Sequence, residues 1–165
     1  NRVIHKGEGV VKIASFSGNN SSLDELQHSR KFPILFEEDY YQMLEKKLIV
    51  NTMINPLTAV LQVENGILVH NPYFLQLFNA YFNEIVHILQ IKNVEEVKKH
   101  VYHVCENTAS NRSSMLRDLE EGRLTEIDAI LGYVLQIAEN RKIYAPITNQ
   151  LYLMVKGKEY SQKED

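Results

Sequence analysis

The chain has 165 residues, 44% hydrophobic and 24% charged, with a net charge of −3 at pH 7, which fits one globular core and excludes a disordered chain. Its 18 Lys and Arg are scattered among acids without a basic stripe, which argues against a nucleic-acid partner. The single cysteine, Cys105, allows no internal disulfide and suits a reducing, cytoplasmic setting, while no apolar run approaches the ~18–20 residues of a membrane span.

The opening residues NRVIHKGEG do not form a signal peptide, and the missing initial methionine suggests a piece of something longer. Two β-branched-rich runs, Arg2-Val-Ile-His5 and Val10-Val-Lys-Ile-Ala14, flank KGEG and read as a hairpin. SGNNSS (17–22) is a loop, and Ser22-Leu-Asp-Glu25 has capping-box spacing for a short helix. Phe32-Pro-Ile-Leu-Phe36 is a candidate further strand. So few short strands do not make a stable sheet alone, so they read as an edge cut from a larger one.

From about Glu38 the pattern is helical. Tyr40 to Leu61 carries apolar residues at Leu44, Leu48, Met53 and Leu57, with Pro56 as an expected kink. Asn65-Gly66 marks a turn, and Asn71-Pro72 reads as N-cap and first residue of a helix to Ile91. Asn93 opens another, to about Asn107. A short helix from Ser113 to Glu121 is closed by Gly122. The next runs from Thr125 to about Asn140, and a last one follows Ala145-Pro146 and fades into KGKEYSQKED. There is no internal repeat.

The feature that asks for an explanation is KLIVNTMINPLTAV (47–60). Lys47, Asn51 and Asn55 stand four residues apart, on one side of a helix, in an otherwise mostly apolar stretch. Asn is a poor helix former because its side chain competes for backbone groups. Two readings stay open. In one, the Asn side chains cap turns around Pro56, and Lys47, like Lys46 beside it, extends to solvent. In the other, the row binds an oxyanion or carbonyl, with the lysine supplying charge and a proton and the amides fixing orientation.

The remaining constellations have ordinary readings. Ser113 and Ser114 suit helix N-caps, and Arg117, Asp118, Glu120, Glu121 and Arg123 read as a solvated face. Glu126 stands in the first turn of a helix, where a carboxylate is favourable, and Asn65 is a turn residue. His100, His103 and Cys105 lack a full ligand set, so no metal site is expected. Gly7-Glu8-Gly9 is a GxG before a strand, not a dinucleotide fingerprint. Tyr73, Phe74, Phe78, Tyr81 and Phe82 follow helical spacing and read as core or subunit contact.

Taken together, KLIVNTMINPLTAV, Asn65-Gly66, NRSSMLRDLEEGRLTEIDAILGYV (111–134) and API-TNQLYLMVK (145–156) resemble, in order and spacing, the C-terminal half of the ketopantoate reductase family. The opening VIHKGEGVVKIA is similar to the last strands of that family's nucleotide-binding domain. The resemblance implies a mainly α fold. Residues 1–38 would be the last strands of an N-terminal NADP-binding Rossmann domain, 39–160 a helical substrate-binding and dimerisation domain, and 161–165 a charged tail.

It further implies reduction of the ketone of 2-dehydropantoate by NADPH, on the route to pantothenate and coenzyme A. Lys47 would be the general acid, Asn51, Asn55, Asn65 and Ser114 would hold the substrate, and Glu126 would contact the cofactor. Partners would be the small 2-keto acid, the missing Rossmann domain and a second copy of the chain. Glu45 stands where the family commonly has an aromatic residue. The family's glycine-rich turn, and an asparagine from that domain, are not in this chain, so the chain alone is expected to be inactive. The alternatives are a relative acting on another 2-keto acid, and a non-catalytic helical dimerisation module.

Overall fold

A computed structural model describes residues 11–16, 34–37 and 39–161. The chain divides into two compact units, 1–47 and 48–165. In the first, β1 (Val11–Ala14) pairs in parallel with β2 (Ile34–Glu37), Val11 opposite Ile34 and Ala14 opposite Glu37. A parallel pair needs a crossover connection and cover on both faces, as in a larger α/β sheet. Val11–Ala14 and Ile34–Glu37 bear out two of the expected strands. The Arg2–His5 run with its KGEG turn and the helix from Ser22 lie outside the described residues.

The rest is helical. Helix α1 (Tyr40–Leu61) starts at Asp39, whose carboxylate accepts the Gln42 N–H at 3.0 Å, and continues through Pro56. Its second half is buried at every position from Thr52 to Ala59, so this part is surrounded rather than amphipathic. Then come α2 (Ile67–His70), α3 (Pro72–Leu89), α4 (Val94–Asn107), α5 (Ser114–Glu120), a π-helical turn (Asp128–Gly132), α6 (Tyr133–Asn140) and α7 (Pro146–Ser161). Asn71 caps α3 by accepting the N–H groups of Tyr73 and Phe74. The start of α7 is capped from a distance: the Glu84 carboxylate on α3 accepts the N–H groups of Ile147 and Thr148 and the Thr148 hydroxyl.

The core lies between α1, α3 and the helices that follow. Met53 and Leu57 share one buried apolar cluster with Phe78, Tyr81, Phe82, Ile85 and Ile88 of α3 and with Leu131, Val134 and Val155. The aromatic series is therefore core at Phe78, Tyr81 and Phe82, while Tyr73 is exposed. Two differences from the sequence pattern bear on the site. The expected Thr125–Asn140 helix is a wide π-helical turn from Asp128 followed by α6. The last helix does not fade in the charged stretch: α7 reaches Ser161 and buries Glu159 to 5% exposure.

Candidate functional site

Along α1 the polar row sinks from solvent toward the core. Lys47 is exposed, Asn51 is half-buried, and Asn55 is 6% exposed. Among the described residues neither asparagine side chain has a hydrogen-bond partner. Pro56 lacks an N–H, so the carbonyl of Thr52, four residues before it, has no helical donor. The group that satisfies it is neither asparagine. The hydroxyl of Tyr81, fully buried on α3, donates to the Thr52 oxygen at 3.0 Å. The role of capping turns around Pro56 is thus taken by another residue, and the carboxamides stay available.

One turn beyond Asn55, the Thr58 hydroxyl lies 2.8 Å from the carbonyl oxygen of Ile54 and 2.8 Å from the Ser113 hydroxyl. Ser113 Oγ also accepts the Leu116 N–H, so Ser113 is the N-cap of α5 and is buried. Ser114, the next residue, makes no cap bond and is exposed at the first position of α5. The two serines therefore divide the work. Ser113 anchors the start of α5 to α1, and Ser114 is the exposed residue that follows it.

Asn65 is tied to the loop that leads into α5. Its Nδ2 donates to Thr108 Oγ1 at 2.9 Å, and its backbone N–H to the Asn111 carbonyl at 2.9 Å. Its Oδ1 is buried with no partner. Gly66 continues the seam by donating to the Ala109 carbonyl at 3.0 Å. A Cβ on Gly66 would lie 2.6 Å from the Ala109 Cβ, so only glycine fits this approach.

Glu126 is exposed and precedes the helical turn instead of standing in it. Among the described residues no hydrogen bond joins it to the row on α1; its segment is held against α7. Thr125 donates its N–H and hydroxyl to Glu159 Oε1, at 2.8 and 2.7 Å. Asp128 accepts from the Tyr152 hydroxyl at 2.7 Å and from Lys156 at 2.9 Å. Burial pushes the Glu159 carboxyl upward, but the Thr125 donors and Lys156 bring it below its usual value. The Lys156 and Tyr152 donors likewise lower Asp128.

The sequence pattern does not by itself mark Thr58, Tyr81 or Glu159 as supporting the site. Thr58 stands at i+3 from Asn55, a signal that is legible; nothing in the sequence marks Glu159. Among the described residues no group of His, Cys, Asp and Glu side chains could hold a metal. Cys105 is buried, and that burial pushes its thiol up to about 12. A groove between Gln62, Leu119, Met154 and Gly157 contains none of the candidate residues. No helix among the described residues is long and apolar enough to cross a membrane.

Residues 39–159 match the family model described as ketopantoate reductase PanE/ApbA C terminal. The chain is 43% identical to the 2-dehydropantoate 2-reductase of Bacillus subtilis over 162 residues, covering 95% of this chain and 54% of that protein. It is 34% identical to the enzyme of the same name from Vibrio cholerae, covering 98% of this chain and 56% of that one. The solved structure of a probable 2-dehydropantoate 2-reductase from Bacillus subtilis aligns with a TM-score of 0.82 at 43% identity, over 94% of this chain and 54% of the other. A ternary structure of D-mandelate dehydrogenase with NADH and anilino(oxo)acetate has the same fold, with a TM-score of 0.78 at 24% identity, over 95% of this chain and 69% of the other. The chain spans about half the length of the curated relatives it matches.

Proposed function

The chain belongs to the ketopantoate reductase family, as its C-terminal helical part, and on that premise we propose that it forms the substrate side of an NADPH-dependent 2-dehydropantoate 2-reductase. The observation that carries this reading is the pair of carboxamides on α1. Asn51 and Asn55 are available in a buried helix whose local capping needs are met by Tyr81. Asn is a poor helix former, so two carboxamides in register on this helix without a protein partner fit groups kept for a ligand.

The chemistry follows from the residue types. A bound nicotinamide cofactor would supply the hydride that the ketone carbon takes up. Lys47 carries an ammonium one turn before Asn51; it stabilises the alkoxide that develops on the substrate oxygen and transfers a proton to it. Being exposed, it regains that proton from solvent. The Nδ2 groups of Asn51 and Asn55 and the Ser114 hydroxyl donate to the carboxylate and hydroxyl of the substrate. Asn65, whose amide nitrogen is engaged by Thr108, contributes its free Oδ1 as an acceptor for the hydroxyl. Glu126 is acceptor-only, so it fits the hydroxyl or amide groups of a nicotinamide nucleotide and not its phosphates.

The test is Lys47→Ala in the full-length reductase that carries this chain. It should lower kcat by ~10²-fold or more while substrate still binds. A near-normal kcat would remove Lys47 as the proton donor. The second reading, a reductase of another 2-keto acid, uses the same row; a substrate panel on the intact enzyme separates the two, with 2-dehydropantoate expected to give the highest kcat/KM. A non-catalytic dimerisation module is less well supported, since it gives no reason for the uncapped asparagines. We place the protein in the cytoplasm and expect a homodimer.

A further inference from the structure

We propose that Glu159, through Thr125, is a positioning residue that holds Glu126 where it can accept a hydrogen bond from the nicotinamide nucleotide. This rests on the cofactor role of Glu126 given above and adds the means by which that side chain is presented.

The segment around Glu126 is fixed on both sides by groups from α7. Before it, Thr125 donates both its N–H and its hydroxyl to one oxygen of Glu159. After it, the Ile127 N–H donates back to Thr125 Oγ1 at 3.1 Å, and the Ile127 side chain is fully buried. The Glu126 carbonyl accepts the Ile130 N–H at 3.0 Å and so joins the helical turn. Asp128 is held by Tyr152 and Lys156, and Lys156 also bridges to Glu159 Oε2 at 3.0 Å. Every neighbour of Glu126 is thus tied down, while its own side chain is exposed and has no partner among the described residues.

Glu159 calls for such an explanation. A carboxylate 5% exposed on a surface helix is costly unless it has a defined set of donors. Its donors are one residue from Glu126, across 34 positions of chain. The start of the turn would otherwise be an exposed bend with only local bonds. The π-helical turn that follows is the kind of irregularity found where a segment is held off its regular course.

The experiment uses the full-length reductase and measures NADPH binding without substrate, by titrating the nicotinamide fluorescence, beside thermal unfolding and kcat at saturating cofactor. Glu126→Ala should weaken NADPH binding by about tenfold or more, as for a lost positioned contact. Glu159→Ala should weaken it by a comparable factor, with kcat at saturating cofactor within about twofold. Glu159→Gln keeps an acceptor for Thr125 and should restore most of the affinity. If Glu159→Ala does not fold, Thr125→Val removes the hydroxyl half of the same contact, keeps the backbone N–H bond, and should weaken NADPH binding in the same direction by a smaller factor. The Glu126→Ala, Glu159→Ala pair should bind NADPH no more weakly than Glu126→Ala alone, because both changes remove one contact.

Weakened binding in Glu126→Ala with unchanged binding in Glu159→Ala and Thr125→Val would overturn the positioning role alone. Additive losses in the double variant would also overturn it. Unchanged binding in Glu126→Ala would overturn the cofactor role of Glu126 and the positioning role with it.

Discussion

Tyr81 shows how one side chain decides the condition of its neighbours. It is fully buried, and burial raises its hydroxyl well above the usual phenol range, so it is a donor throughout the accessible pH range. What it meets is the carbonyl that Pro56 leaves without an N–H. Tyr81→Phe keeps the ring and its packing but leaves a buried carbonyl unpaired, which costs about 1–3 kcal/mol. Urea unfolding of the two proteins measures this, and a difference below about 0.5 kcal/mol, the scatter of surface changes, would mean that the carbonyl finds another donor. The sequence pattern shows Tyr81 only as one of five aromatics at helical spacing. Its hydroxyl has a purpose only because Pro56 leaves the Thr52 carbonyl without a donor, and the bond to Thr52 spans 29 positions of chain. The polar row is different. Lys47, Asn51 and Asn55 are legible because their spacing is local and their chemistry is out of place in an apolar stretch.

At the scale of elements, what is local is legible and what depends on distant partners is not. The bounds of α1 and α4 follow from periodicity and composition, and the start of α3 from Asn71-Pro72. The end of α3 comes at Leu89, short of Ile91, because Gln90 takes a left-handed conformation (φ +56°) usually reserved for glycine. The π-helical turn is equally hidden, since Asp128 is fixed by residues 24 and 28 positions away. The same cluster makes an acid-sensitive element. Asp128 and Glu159 both have folded pKa values below their ordinary 3.8 and 4.5. A carboxylate lowered in the folded state binds its proton more readily when unfolded. Its contribution is therefore complete above the ordinary value and is lost as pH falls through the folded one. The unfolding midpoint should thus be nearly flat between about pH 6 and 8 and fall below about pH 4. Glu159→Gln should flatten the acid limb and lower stability at neutral pH. An unchanged acid limb would show that the Thr125 and Lys156 contacts do not select the charged carboxylate.

For the whole molecule, the matched relatives set the terms. The chain corresponds to about half of each, and its family model is that of the C-terminal part. Hydride transfer needs the nicotinamide ring held against the ketone, and that orientation is the protein's contribution to the step. The residues proposed above would supply a proton donor, a set of substrate contacts and one acceptor toward the cofactor. The sequence has a GxG at Gly7-Glu8-Gly9 and no GxGxxG. The purified 165-residue chain should therefore give no NADPH loss above background with 2-dehydropantoate, although its helical core, with Met53, Leu57, Phe78, Tyr81 and Phe82 fully buried, should unfold cooperatively when heated. The two measurements belong together. A cooperative melt with no turnover locates the deficiency in the cofactor side, whereas turnover by the chain alone would show that these residues hold the nucleotide unaided and would overturn the division of labour drawn between the two halves.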